Sequence, residues 1–567
     1  MPRLLAAALL LVPATALAQR PAPPPRPADL VVINARIYTV DDTRPVVEAI
    51  AVRDGRVVFA GAARGAKTLQ GPRTRVLDLA GRTVIPGMVD AHAHLLGLGT
   101  ALRNVDLTGA KSYEEVIARV AARAKQAPPG AWILGRGWDQ NLWAGARFPT
   151  HEPLDAAVPD HPVLLERIDG HAQLANAAAM RAAGVTAATK DPSGGRIERD
   201  ASGAPAGVFV DNAAGLVDRA VPAPTRDDIR DMTLAAIAEC NKWGLVGIHD
   251  AGEPRQVIDV FEELARAGRY NLRNYVMVSD DSVALAHYFA IGPRSALYDG
   301  HLWVRAVKLY ADGALGSRGA ALLAPYADDP KNTGLLVSAP AHIEAVAERA
   351  LHAGFQVATH AIGDRGNRIV LDAYERALAA VPTADPRLRV EHAQVVSPED
   401  IPRFAALGVI PSMQASHQTS DMGWAETRLG PERIKGAYAW RSLLNTGVVI
   451  PNGSDFPVEY VNPLISFHSA ITRQSAANEP PGGWYPEQRM TRDEALRSMT
   501  LWPAYAAFQE HDAGSLTPGK YADFVVLDQD IMKVAAEDVL KTQVIATYIG
   551  GKAVFERDGR SAVSGKR

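Results

Sequence analysis

The chain has 567 residues, more than one compact core accommodates, so a large domain with a smaller companion is expected. With 47% hydrophobic and 22% charged residues and a formal net charge of −3, it reads as a soluble, enzyme-sized protein. That balance gives no basis for a nucleic-acid or anionic-membrane partner. The one cysteine, Cys240, excludes an intrachain disulfide, and its Ala/Leu/Ile-rich surroundings place it on a buried helix face.

At the N-terminus, Arg3 supplies a positive end, residues 4–12 an apolar run, and Ala16-Leu-Ala18 a small-residue cleavage site. The run is too short to span a bilayer. Residues 1–18 are therefore expected to be a signal peptide cut after Ala18, with 19–28 a Pro-rich disordered spacer. The mature protein would be periplasmic or secreted, with no membrane partner.

Residues 29–39 then read as a strand, 49–60 as a hairpin turning at Asp54-Gly55, and 75–79 as a further strand. The C-terminus has the same texture, with a strand at 522–527 and a hairpin at 544–555 turning at Gly550-Gly551. Neither group makes a robust sheet alone. Segments 29–83 and 512–567 are thus expected to combine into one small β-sandwich domain.

Between them, apolar strands alternate with amphipathic helical stretches. Candidate strands are 84–91, 245–249, 272–278, 304–310, 355–360, 388–392, 409–413 and 448–453, with helical stretches such as 341–353, 368–380 and 398–407 intervening. Eight such units over 84–511 predict an α/β fold, a (β/α)₈ TIM-type barrel with its functional groups at the strand C-termini. An open doubly wound sheet is the alternative, but no Gly-rich phosphate loop follows any strand. The first crossover, 95–244, is abnormally long and must hold an inserted subdomain (about 104–235) with strand-like segments at 132–136 and 163–168. Such an insertion is expected to cover the barrel mouth.

The first strand ends in Val89-Asp-Ala-His-Ala-His94, and residues two apart on a strand share a face. His92 and His94 would therefore point together, as ligands of one metal must. Later strands repeat the design, ending in Lys308, His360, His392 and Asp455. Any one of these is more readily a packing residue. Their recurrence at successive strand C-termini is hard to assign to packing.

This set resembles the amidohydrolase superfamily. More narrowly, Lys308-Leu-Tyr-Ala-Asp-Gly-Ala-Leu-Gly-Ser-Arg318, Thr359-His-Ala-Ile-Gly-Asp364, Glu391-His-Ala-Gln394 and Gly453-Ser-Asp-Phe-Pro457 are similar to the N-substituted formamide deformylase-like branch. Gly135-Arg-Gly-Trp-Asp139 and Arg167-Ile-Asp-Gly-His-Ala-Gln-Leu-Ala-Asn176 in the insertion fit it too. The resemblance implies two divalent ions, zinc by ligand type: one on His92, His94 and Asp455, another on His360 and His392. Lys308, carboxylated by carbon dioxide, would bridge them. Carboxylation would also turn a costly buried cation into an anionic oxygen ligand. Metal-hydroxide attack on an amide-like carbon is then expected, with Asp455 as proton carrier.

His171, His249, Asp312 and Arg318 are candidate substrate contacts; His249 could equally support a ligand from behind or cap its strand, and Asp312 and Arg318 could orient Lys308 or form a salt bridge within their loop. Trp138, Trp143 and Trp424 either line an apolar pocket or pack. His151, His161, His301, His417 and His511 are left as surface or core histidines. The expected partner is a small-molecule substrate, with a homo-oligomer open. Two competing readings are a one-metal deaminase-type enzyme in which Lys308 stays a free amine, and a non-catalytic binding or regulatory module.

Overall fold

The computed structural model describes residues 26–557 apart from 146, 168–171, 193–194, 212 and 317. The signal segment, most of the spacer and His171 lie outside the described residues.

Eight strands form one parallel sheet in chain order: β1 (Met88–Ala93), β2 (Leu245–Glu253), β3 (Arg273–Val278), β4 (Leu302–Tyr310), β5 (Gln356–Ala361), β6 (Arg389–His392), β7 (Ile410–Gln414) and β8 (Asn452–Gly453). Backbone bonds from Asp455 N to His92 O (2.7 Å) and from His94 N to Phe456 O (3.0 Å) tie the segment after β8 to β1, bringing the sheet nearly to closure. Strands covered on both faces need no alternation, and all six residues of β3 are buried. The covering helices are amphipathic: Arg255–Arg266 buries Val257, Ile258, Phe261 and Leu264 on one stripe. Cys240 is fully buried in the helix Arg226–Lys242, which starts at a Thr225/Asp228 capping box.

Two expected strands differ from the observed ones. The segment expected as one strand over 84–91 divides at Gly87. Thr83–Pro86 pairs antiparallel with Phe524–Leu527, and only Met88–Ala93 enters the barrel. A Cβ at Gly87 would stand 2.3 Å from Val246 Cγ2, so a larger residue here would have to displace Val246. The eighth strand, expected over 448–453, is confined to Asn452–Gly453, because Pro451 has no N–H to give a ladder. A Cβ at Gly453 would lie 2.5 Å from His92 N, which is how closely β8 approaches β1.

The chain ends contribute two sheets. One has four strands (Arg56–Gly61, Ala49–Arg53, Leu30–Ile33, Arg75–Asp78). The other has six (Lys552–Glu556, Val544–Ile549, Phe524–Leu527, Thr83–Pro86, Arg36–Tyr38, Val46–Val47). They share an apolar cluster that includes Leu30, Val32, Val84, Phe524 and Tyr548. Both hairpins turn where expected, with left-handed φ at Asp54 (49°), Gly55 (75°), Gly550 (57°) and Gly551 (72°), as the tight turn requires. The long crossover holds its own six-stranded sheet, in the order Gly195–Arg199, Pro205–Asp211, Ala172–Ala175, Val163–Arg167, Ile133–Trp138, Val105–Asp106. Trp138 and Trp143 pack in its core and donate to the carbonyls of Leu165 (2.8 Å) and Ala110 (3.0 Å), so both serve packing. No described helix is long and apolar enough to cross a membrane.

Candidate metal centre

The barrel brings His92, His94, Lys308, His360, His392 and Asp455 to one end, the C-terminal end of its strands. His94 Nε2 lies 3.0 Å and His92 Nε2 3.6 Å from Asp455 Oδ1, and Lys308 Nζ is 3.2 Å from His92 Nε2. The rings of His360 and His392 are 4.5 Å apart, and those of His92 and His392 4.9 Å. Register explains the assembly: Tyr310 at the end of β4 pairs with His360, and Ala361 pairs with His392.

Two of these residues sit on unusual backbone. His392 (φ 74°) and Asp455 (φ 61°) adopt the left-handed region, which costs about 1–3 kcal/mol each for residues with a Cβ and persists where surrounding structure enforces it. At His392 the effect is visible. Strand alternation would set Glu391 and His392 on opposite faces, yet both reach the interior cluster, because the backbone turns left-handed at the end of β6.

A layer of charge lies among these candidate ligands. Glu391, fully buried, accepts from His92 Nδ1 and pairs with Arg389 Nε at 2.7 Å. Arg389, also fully buried, reaches Ala91 O (2.8 Å), Ser412 Oγ (2.9 Å) and His249 Nδ1 (2.8 Å). Burial opposes ionisation of Glu391, but the Arg389 guanidinium and His92 outweigh it and hold the carboxyl well below its usual range. Burial, reinforced by the Lys308 cation, pushes His92 down to about 4 and His360 to about 3. His392 is lowered by burial and by its histidine neighbours. These imidazoles are neutral at pH 7, the form that binds metal. Burial also lowers Lys308 to about 8. For Asp455, burial is overcome by His417 and His94, leaving it ionised.

The donor set fits a divalent ion. His360 Nε2 and Asp455 Oδ1 are buried and make no well-aligned hydrogen bond, although Asp312 Oδ1 stands 3.6 Å from the one and His94 Nε2 3.0 Å from the other, an arrangement that a cation between such donors would satisfy. His92 and His392 each commit Nδ1 to an oxygen, of Glu391 and of Gln414 (2.7 Å), leaving Nε2 for the centre. His92, His94 and Asp455 present ligand atoms within 4.8 Å of one another, as do His392, His417 and Asp455. Nitrogen and carboxylate donors suit zinc, and also manganese, iron or cobalt.

The other sequence candidates divide. His249 is buried, with its ring nitrogen on Arg389, which supports the His92–Glu391 pair from behind. Asp312 accepts backbone N–H bonds from Ala321 (2.8 Å), Ile362 (2.9 Å) and Gly363 (2.8 Å), so its carboxylate shapes the loops after β4 and β5. Arg318 donates to Asp328 at 2.8 Å, a salt bridge within its loop. Trp424 packs against the core at Gly316.

Sequence reasoning passed over four groups. Arg389 and Glu391 carry a detectable signal, opposite charges two apart on one apolar strand. Asp90 shares the face of His92 and accepts from Ser454 Oγ at 2.6 Å, joining β1 to the segment after β8. His417, left among the surface or core histidines, is buried against Asp455, Nε2 to Oδ2 at 3.4 Å. It lies in the short helix Ala415–Asp421, where no strand-end pattern marks it. A cleft of about 830 Å³ lined by Arg56, Arg273 and Tyr521 opens beside the end sheets, at the N-terminal ends of the barrel strands, where none of these ligands points.

The sequence profile described as the amidohydrolase family matches residues 75–555. The protein LONG AFTER FAR-RED 3 of Arabidopsis thaliana is 36% identical over 93% of this chain and 92% of its own. N-substituted formamide deformylase of Arthrobacter pascens is 30% identical over 94% of this chain and 99% of its own. Among solved structures, an uncharacterized metal-dependent hydrolase from Pyrococcus horikoshii OT3 superposes with a TM-score of 0.76 at 28% identity, covering 89% of this chain and 99% of that one.

Proposed function

This chain belongs to the amidohydrolase family, and from that premise we propose that it is a metal-dependent hydrolase of non-peptide C–N bonds, acting on N-substituted amides, formamides or acylated amines. The observation that carries the reading is the convergence of His92, His94, Lys308, His360, His392 and Asp455, three of whose donor atoms, from His92, His94 and Asp455, lie within 4.8 Å of one another. Formamides head the substrate list because the similar deformylase is named for them.

His92, His94 and Asp455 would hold one ion, His360 and His392 a second, and Lys308, carboxylated, would bridge them. Such an ion lowers the pKa of a water from about 15.7 to roughly 7 and polarises a carbonyl. The protein's own groups do the rest. Asp455, held ionised, takes a proton at its carboxylate from the attacking water and returns it to the departing nitrogen. Glu391 fixes the tautomer of His92 by accepting from Nδ1, and Arg389 holds Glu391 in place. The low pKa of Lys308 supplies the neutral amine that capture of carbon dioxide needs.

The test is release of free amine from a panel of N-formyl and N-acyl amines, before and after chelation. Chelator-sensitive release supports the proposal, and a metal-loaded enzyme inert on the whole panel counts against it. We extend the proposal to export, with the mature chain starting at Gln19. N-terminal sequencing of protein from the periplasm or medium checks this.

A further inference from the structure

His417 stands outside the ligand set proposed above, yet it is built into the site as the ligands are. Three histidines here share one arrangement, Nδ1 committed to a side-chain oxygen and Nε2 turned inward: His92 on Glu391, His392 on Gln414 and His417 on Glu459 (3.1 Å). Glu459 is itself fixed by Ser420 Oγ at 2.5 Å, one helical turn beyond His417. The His417 ring lies nearly parallel to that of His392, at 13° and 5.9 Å. The two oxygens of Asp455 are divided between opposite sides: Oδ1 faces His94 and His92, and Oδ2 faces His417 Nε2 at 3.4 Å. Asp455 sits on left-handed backbone just beyond the two-residue β8, so its strand holds its direction poorly.

We propose that His417 is a positioning residue for Asp455: anchored by Glu459, it engages Oδ2 and so keeps Oδ1 turned to the ligand cluster. The chain Ser420–Glu459–His417–Asp455 takes one carboxylate oxygen out of play and leaves the other for the metal and the reaction. A histidine serving only as packing would have no reason to place a carboxylate on each ring nitrogen. The proposal rests on the metal-dependent reading above.

The test loads full-length wild type, His417→Ala and Glu459→Gln with cobalt(II), and follows metal per chain, the cobalt visible absorption and turnover of formanilide. His417→Ala is expected to keep the wild-type metal count and shift the cobalt bands. Its kcat should fall about 10–100-fold, as when an outer partner of a metal ligand is removed, with KM little changed. Added imidazole should restore part of the loss, and Glu459→Gln should show a smaller change in the same direction. Wild-type kcat and spectrum in His417→Ala would overturn the proposal. Loss of a metal equivalent would overturn it too, by making His417 a ligand. A wild type that takes up no cobalt sinks the metal reading itself, a failure distinct from either.

Discussion

Lys308 Nζ lies 3.2 Å from His92 Nε2, two nitrogens facing each other in a barrel interior where both side chains are buried. A protonated amine there repels the metal the neighbouring groups are arranged to hold, whereas a carboxylated one attracts it. Only the neutral amine attacks carbon dioxide, and burial has brought Lys308 down to about 8. The neutral fraction therefore rises as pH climbs through 8. Reconstitution of the metal-free enzyme with zinc and bicarbonate should be faster at pH 8.5 than at pH 7, and bicarbonate should lose its effect in Lys308→Ala. Metal uptake against pH, with and without bicarbonate, checks both expectations.

Glu391→Gln removes the counter-charge of the fully buried Arg389 and the acceptor for His92 Nδ1. Breaking one side of a buried ion pair costs about 3–5 kcal/mol. Urea unfolding should show a loss of that size, with weaker metal retention. Unchanged stability would mean that another group takes up the Arg389 charge.

Asp455→Asn keeps the shape of the side chain but removes its ability to accept a proton. Loss of a positioned acid–base group lowers rates by about 10²–10⁴-fold. Turnover measured beside metal content separates this from loss of the ion. A variant with full metal and full rate would refute the proton-carrying role.

Much of the barrel was legible because its strands are apolar runs bounded by helical stretches, and the six principal residues because they stand at strand C-termini. Where the chain departs from period two, legibility fails. The left-handed turn at His392 puts Glu391 and His392 into one cluster against alternation, so the strand pattern alone turns Glu391 away from the site. His417 arrives from a helix, and only the three-dimensional approach of its ring to Asp455 reveals it. The first expected strand divides at Pro86-Gly87, a break written in the sequence that the apolar residues on either side of it mask.

Asp312 satisfies three backbone amides of the loops beside the site. Asp312→Ala should destabilise the protein by roughly 3 kcal/mol, since buried donors left unpaired cost about 1–3 kcal/mol each and the loops relax in part. Because these loops follow Lys308 and His360, KM should rise as well. Thermal unfolding and steady-state kinetics on one preparation test both. A Gly366→Ala change should act in the same direction, as its Cβ would stand 2.5 Å from Asp312 Oδ2.

The central claim is that the histidine, lysine and aspartate cluster holds two ions. Elemental analysis of protein purified without chelator, with bicarbonate present, measures this most directly. The account predicts two equivalents of divalent metal per chain, falling in Lys308→Ala. One equivalent unchanged in Lys308→Ala, or no bound metal after reconstitution with zinc or manganese, would contradict it.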